Sequence, residues 1–96
     1  MTIQKNIEKS TATLVLSGWL DTKTSPELKE ALNNLEPTVT ELILDLKELE
    51  YISSAGLRQI VAANKKMSGN LTLSNVPAEI MEVFRMAGFE KKLHIV

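Results

Sequence analysis

Two adjacent hydroxyl groups carry the clearest chemical signal in this sequence. Ser53 and Ser54 stand in the stretch YISSAGLRQIV, residues 51–61, ahead of Gly56 and a series of apolar residues at helical spacing. A serine at the start of a helix usually caps it by accepting a hydrogen bond from a free backbone N–H. Only one serine can be the cap, which leaves the other hydroxyl free to face solvent. The pair predicts either a plain helix cap or a cap beside a phosphorylation site.

Phosphorylation at this position would act on a partner more than on the fold. A phosphate near a helix start meets unpaired N–H groups and the positive end of the helix dipole, so the domain tolerates it. A partner packed on the same surface would have to desolvate about 1.5 to 2 units of new negative charge. The two serines therefore permit a switch that acts on an interface and leaves the fold intact.

The remaining polar residues offer little for catalysis. His94 is the only histidine, and we interpret it as a residue of an edge strand, because a metal or catalytic site needs partners. Asp45 follows an apolar run, and a loop-capping role is favoured over a catalytic one. No His/Asp/Glu cluster has the spacing of a metal site, and the glycines form no phosphate-binding loop. We predict no catalytic residue, no metal, no cofactor and no enzymatic activity.

Composition and charge limit the partners. The chain has 96 residues, 44% hydrophobic and 24% charged, with a net charge of −1 and no cysteine. This is enough for one domain, residues 1–96, and the charge gives no general attraction to nucleic acid or an anionic membrane. No signal peptide is apparent, and no apolar run approaches the roughly 18 residues of a membrane span. We expect a cytoplasmic protein, monomeric when free, without nucleic-acid or membrane partners.

Hydrophobic patterns predict strands alternating with helices. The predicted order is strand, strand, helix, strand, helix, strand, helix, strand. This order favours an α/β fold with a mixed, mostly parallel sheet of four to five strands and about three main helices packed against it. We expect the second strand to end at Gly18, ELILDL to form a strand covered on both faces, and KELEY, residues 47–51, to form a loop.

Two stretches give the chain a family resemblance. VLSGWLDTKTSPELKEAL resembles the opening of the STAS domain, and LILDLKELEYISSAGLRQIV resembles its central strand, loop and phospho-acceptor helix. Within that family the chain is similar to the bacterial anti-sigma factor antagonists. The resemblance implies a small α/β domain that binds an anti-sigma factor. That partner is typically also a serine kinase that uses ATP and magnesium, and a phosphatase reverses the modification.

The resemblance also implies roles for individual residues. The acceptor serine of the family stands two residues before a Gly-Leu pair, which here is Ser54, with Ser53 as the second choice. Ser53 occupies a position where the family often has aspartate. Asp21 matches a loop aspartate of the family, and we assign it to the partner interface, with a cap of the following turn as an equal alternative. Gly56 and Arg58 complete the predicted partner-binding residues.

Two choices remain open at this point. Trp19 is the only tryptophan, and burial in the core is favoured over a role as an exposed interface anchor. The function is either that of a phosphorylated antagonist or that of a STAS subunit that is not phosphorylated and serves as a constitutive partner in a transporter or larger signalling complex. Retention of a serine at position 54 favours the antagonist.

Overall fold

A computed structural model describes all residues, 1–96, and contains five strands and three helices in the predicted order. In chain order these elements are β1 (Thr2–Glu8), β2 (Thr11–Leu20), α1 (Ser25–Asn33), β3 (Glu41–Ile52), α2 (Ser54–Lys66), β4 (Leu71–Ser74), α3 (Ala78–Met86) and β5 (His94–Ile95). The predicted α/β class is confirmed. No helix is both long enough and apolar enough to cross a bilayer.

The strands form one mixed sheet in the order β1-β2-β3-β4-β5. β1 and β2 pair antiparallel as a hairpin, and the other neighbours are parallel. His94 lies exposed on the short edge strand β5, as predicted.

All three helices pack on the same face of the sheet. Leu14, Leu44 and Leu73 align across β2, β3 and β4, and they share one core with the buried residues of the helices. The strands follow one another in a single direction across the sheet. Right-handed crossovers between strands added in one direction place every connecting helix on the same side.

The opposite face of the sheet carries no helix, which corrects the prediction that ELILDL is covered on both faces. Thr13, Ile43 and Thr72 form a row across this open face and are only partly buried. Asp45 also lies there, inside β3, where its Oδ1 accepts hydrogen bonds from Lys47 N and Asn75 Nδ2. Its bond to the loop after β4 agrees with the predicted loop-capping role.

Strands β2 and β3 extend further than the sequence pattern indicates. β2 continues through Gly18 to Leu20, and residues 47–51 belong to β3 and form no loop. The register of the two strands shifts between Val15 and Ser17 and again between Gly18 and Trp19. These irregularities insert extra residues into β3, so its buried positions Leu46, Leu49 and Ile52 follow at intervals of three. The alternation of buried and exposed residues that is typical of a strand is lost there, which explains why the sequence pattern predicted a loop at residues 47–51.

Candidate functional site

The candidate site forms where the carboxyl ends of β2 and β3 meet the start of α2. Leu20 and Ile52 are the last register pair of these strands, and both side chains are buried. The backbone N–H of Ser53 donates a hydrogen bond to the carbonyl oxygen of Leu20 at 2.9 Å. This bond ties the start of α2 to the end of β2, so the first turn of the helix lies beside the loop that follows β2.

The two serines have different structural roles. Ser53 is the N-cap of α2, and its Oγ accepts a hydrogen bond from the backbone N–H of Gly56 at 3.2 Å. Ser54 is the first residue of the helix and is exposed, and its hydroxyl makes no hydrogen bond within the chain. The cap predicted from the sequence is therefore Ser53, and the hydroxyl of Ser54 is left free in solvent.

Gly56 determines how closely α2 approaches the sheet. A Cβ atom at this position would lie 2.5 Å from the carbonyl oxygen of Leu20 and 2.8 Å from its Cγ. It would also lie 3.1 Å from Cγ1 of Ile52. Gly56 is buried and has a packing role in the structure, and its assignment to the partner interface stays a prediction. Because Gly56 has no side chain, the first turn of α2 can pack closely against the end of β2.

Asp21 organises the loop after β2. Its Oδ1 accepts hydrogen bonds from the backbone N–H groups of Lys23 and Thr24, both at 3.0 Å. The hydroxyl of Thr24 in turn accepts from Asp21 N at 2.9 Å. Its own hydrogen has two acceptors within reach, the carbonyl oxygen of Trp19 at 2.7 Å and Oδ1 of Asp21 at 3.0 Å. The turn-capping alternative for Asp21 is therefore realised, and a role in a partner interface stays a prediction.

The hydrogen bonds around Asp21 lower the pKa of its carboxyl group below 3.8, its ordinary value. The backbone N–H of Thr24 contributes most, the Thr24 hydroxyl and the Lys23 N–H add to it, and partial desolvation opposes them. Because the folded-state pKa is depressed, the carboxylate stabilises the turn above about pH 3.8, and this contribution is lost as the pH falls through the folded-state pKa.

Arg58 lies one helical turn after Ser54 and is exposed. The ion pairs of the chain join Lys5 to Glu36 and Arg85 to both Glu82 and Glu90, and Arg58 belongs to none of them. The first turn of α2 contains no acidic residue either. Arg58 therefore has an unpaired guanidinium and stands one helical turn after the free hydroxyl of Ser54.

Trp19 is exposed, which corrects the prediction that it packs in the core. It is 56% exposed, and its ring lies 5.1 Å from that of Tyr51, which is 45% exposed. The two residues are opposite one another in the β2–β3 register. Both point away from the core because their neighbours Leu20 and Ile52 point into it.

The aromatic pair borders the site on both strands. Trp19 precedes Asp21 by two residues, and Tyr51 precedes Ser53 by two. The sequence did contain a signal that Trp19 faces away from the core. Leu14, Leu16 and Leu20 share one face of the strand, so an odd-numbered residue such as Trp19 lies on the other face. Tyr51 was missed because its segment was assigned to a loop.

The site is an open surface and not a cavity. The largest groove, with a volume of about 380 Å³, lies at the far end of α2 and includes Lys66 and Met67. No group of three or more histidine, cysteine, aspartate or glutamate side chains comes together as metal ligands. What the surface can offer is contact with a macromolecular partner and one free hydroxyl for modification.

Comparison with models of protein families identifies the family of this chain. The model of the STAS domain matches residues 2–96. This chain belongs to the STAS domain family. In this STAS domain the exposed serine lies at the position of the motif where the resemblance placed the phospho-acceptor.

Two relatives of this STAS domain have functional names. BtrV of Bordetella bronchiseptica, named as an anti-sigma factor antagonist, is 41% identical over 51 residues, which span 50% of this chain and 44% of the relative. The anti-sigma-B factor antagonist of Bacillus subtilis is 29% identical over 83 residues, which span 83% of this chain and 76% of the relative. The match to BtrV thus covers less than half of that relative's length.

Solved structures confirm the fold. An anti-sigma factor antagonist from Mycobacterium paratuberculosis has a TM-score of 0.86 at 20% identity, covering 98% of this chain and 83% of its own. A sulfate transporter family protein from Wolinella succinogenes has a TM-score of 0.78 at 20% identity, covering 95% and 80%. The unphosphorylated form of the anti-sigma factor antagonist SpoIIAA has a TM-score of 0.73 at 17% identity, covering 99% and 87%. At these identities the likeness establishes the fold alone.

The separate roles of the two serines predict different effects of alanine on stability. Ser53→Ala removes the cap, so we expect the free energy of unfolding to fall by about 1 kcal/mol. Ser54→Ala removes only a solvated hydroxyl, and we expect a change within about 0.5 kcal/mol. Urea denaturation of both variants measures the difference. A larger loss for Ser54→Ala would mean that Ser54 is the cap.

Gly56→Ala tests the close approach of α2 to β2. Helix propensity alone favours alanine over glycine by about 1 kcal/mol. The added Cβ would collide with the carbonyl of Leu20, so we expect a net destabilisation of about 1–3 kcal/mol instead. The same denaturation experiment gives the sign of the change. Stabilisation by the substitution would show that the helix start has room for a side chain.

Proposed function

We propose that this STAS domain is an anti-sigma factor antagonist whose binding to an anti-sigma factor is controlled by phosphorylation of Ser54. The observation that carries the proposal is the division of roles between the adjacent serines. Ser53 uses its hydroxyl to cap α2, whereas Ser54 presents a free hydroxyl at the first position of the helix. Phosphorylation of Ser54 therefore costs the fold no hydrogen bond.

The relatives support this function by name. BtrV and the Bacillus subtilis protein are both named as antagonists of anti-sigma factors. SpoIIAA, an anti-sigma factor antagonist by name, has been solved in an unphosphorylated form, and a phosphorylated form of SpoIIAA also shares the fold, with a TM-score of 0.68. We transfer the antagonist function to this chain because its exposed serine stands in the matching motif.

The proposed partner is an anti-sigma factor that is also a serine kinase. The kinase supplies ATP and magnesium, and a separate phosphatase removes the phosphate, so this domain needs no catalytic residue and is not itself an enzyme. The proposed site of action is the cytoplasm. Binding of the unmodified domain withdraws the anti-sigma factor from its sigma factor.

The physical effect of the phosphate is on the interface. It adds about 1.5 to 2 negative charges to the first turn of α2. The backbone N–H groups at the start of a helix and its dipole tolerate an anion there. A partner packed over Ser54 would have to desolvate that added negative charge, which weakens the complex.

We propose that the interface surrounds Ser54 and includes Arg58, the Asp21 loop and the aromatic pair Trp19–Tyr51. Tryptophan, tyrosine and arginine are enriched among the residues that dominate binding energy at protein interfaces. The rings of Trp19 and Tyr51 are already in contact, and the hydrogen bond from Thr24 holds the backbone of Trp19. A partner thus meets an aromatic surface that needs little ordering.

Mass spectrometry after kinase treatment tests the acceptor. The domain is incubated with the serine-kinase anti-sigma factors of its own organism, ATP and magnesium. We expect one phosphate on Ser54, no labelling of Ser54→Ala, and normal labelling of Ser53→Ala. The assay is run well below the melting temperature of the Ser53→Ala variant, which lacks the cap. Labelling of Ser53 alone would move the acceptor, and absence of label with every kinase that binds the domain would contradict the proposal.

Alanine substitution of two exposed hydrophobic residues, one inside the proposed interface and one outside it, tests the interface. Trp19→Ala should weaken binding of the anti-sigma factor by about tenfold or more, since it removes an exposed aromatic ring from the proposed surface. Met86→Ala is the matched control, because Met86 is 80% exposed but lies at the end of α3. Calorimetry gives both affinities. Equal effects of the two variants would remove the aromatic pair from the interface.

A constitutive role in a transporter or larger signalling complex is the second candidate. The similarity to the sulfate transporter family protein of Wolinella succinogenes favours it, since the same fold occurs there. In that role Ser54 would stay unmodified, and binding of a partner would not respond to Ser54→Asp. In the antagonist role Ser54→Asp weakens partner binding with little change in the melting temperature.

A further inference from the structure

We propose that Arg58 is the internal counter-ion of a phosphate on Ser54, so that modification withdraws Arg58 from the partner as well as adding charge. The inference rests on the proposed function, because it concerns the form of the site that phosphorylation creates. It gives Arg58 two alternative anions, a carboxylate of the partner before modification and the phosphate of its own helix afterwards.

The spacing of the two residues carries the inference. Ser54 and Arg58 are four residues apart on α2, and both are exposed. Residues at this spacing are neighbours on one helix face, with about 5–6 Å between their Cβ atoms. Side chains of a helix lean toward its N-terminus, so that of Arg58 leans toward the turn that carries Ser54. A guanidinium can therefore reach a phosphate on Ser54 without any change in the backbone.

Arg58 is also available for this contact. Of the two arginines, Arg85 is held by Glu82 and Glu90, whereas Arg58 has no carboxylate partner. With no acidic residue in the first turn of α2, nothing on that turn competes for the guanidinium. A phosphate would be the strongest anion within its reach, and the planar guanidinium can donate two parallel hydrogen bonds to it.

This contact changes how the switch works. Before modification the free Arg58, which we proposed above as part of the interface, can pair with a carboxylate of the partner. After modification the same guanidinium is occupied by the phosphate. The partner then loses an attractive contact and meets an added negative charge at the same place, so a single modification acts on the complex twice.

The test uses the full chain with phosphoserine genetically encoded at position 54, so that no kinase is required. A phosphorus NMR titration measures the second pKa of the phosphate, which is ordinarily about 6. A neighbouring cation favours the dianion and lowers this pKa. We expect Arg58→Gln to raise the pKa by about half a unit, as an exposed ion pair would. Arg58→Lys should give an intermediate value, and Arg85→Gln, the matched control, should give no change.

A measurement without substitution completes the experiment. The Nε–H resonance of Arg58 should shift between the unmodified and phosphorylated chains, whereas that of Arg85 should not. An unchanged Arg58 resonance together with equal phosphate pKa values in the Arg58 and Arg58→Gln chains would overturn the proposal. Since the phosphate is installed without a kinase, this outcome is distinct from failure of the proposed function, which would appear as absence of enzymatic labelling on Ser54.

Discussion

The contact between the first turn of α2 and the carbonyl group of Leu20 holds the rest of the site together. Two features meet at that oxygen: the N–H of Ser53, which donates a hydrogen bond to it, and Gly56, whose missing Cβ leaves room for the approach. The pair fixes the height and rotation of α2 above the sheet. The exposure of Ser54, the position of Arg58 and the proximity of the Asp21 loop all follow from that placement.

The adjacent serines separate the hydroxyl that stabilises the helix from the hydroxyl that is free for the proposed modification. Ser53 contributes a hydrogen bond to the fold, and Ser54 contributes none, although only one peptide bond lies between them. A single serine serving as both cap and acceptor would lose its capping bond each time it was phosphorylated. With two serines the residue that we propose to be modified is one whose hydroxyl the fold does not need. Regulation at this position is therefore compatible with a domain of ordinary, small stability.

Much of the fold could be predicted from the sequence because its signals are local. Alternating and helical patterns identified the elements and their order, and the alternation of strands with helices, together with the rule of right-handed crossovers, indicated a mostly parallel sheet. The same rule also explains the uncovered face, which the apolar run around Ile43 obscured. The extension of β3 was missed because bulged residues moved Leu46, Leu49 and Ile52 to a spacing that is not typical of a strand. A register shift depends on the neighbouring strand, and a single sequence does not encode it visibly.

The sequence predicted a helix cap within the serine pair but not the aromatic pair on the neighbouring strands. The cap at Ser53 is a local feature, and the structure confirms it. The packing role of Gly56 could not be predicted, because its close approach to Leu20 joins residues far apart in the chain. Trp19 and Tyr51 come together only through strand pairing, so their contact could not be read from either segment alone.

The exposed position of the only tryptophan has an optical consequence. Indole emission depends on contact with water, and Trp19 stands at the border of the candidate site with Tyr51 close enough to transfer excitation to it. All tryptophan fluorescence of this chain therefore originates near the carboxyl end of β2, two residues before Asp21. Binding of a partner over Trp19 shifts the wavelength of its emission, whereas binding at the far end of α2 leaves the wavelength unchanged. The domain contains its own spectroscopic probe, placed where its partner is proposed to bind.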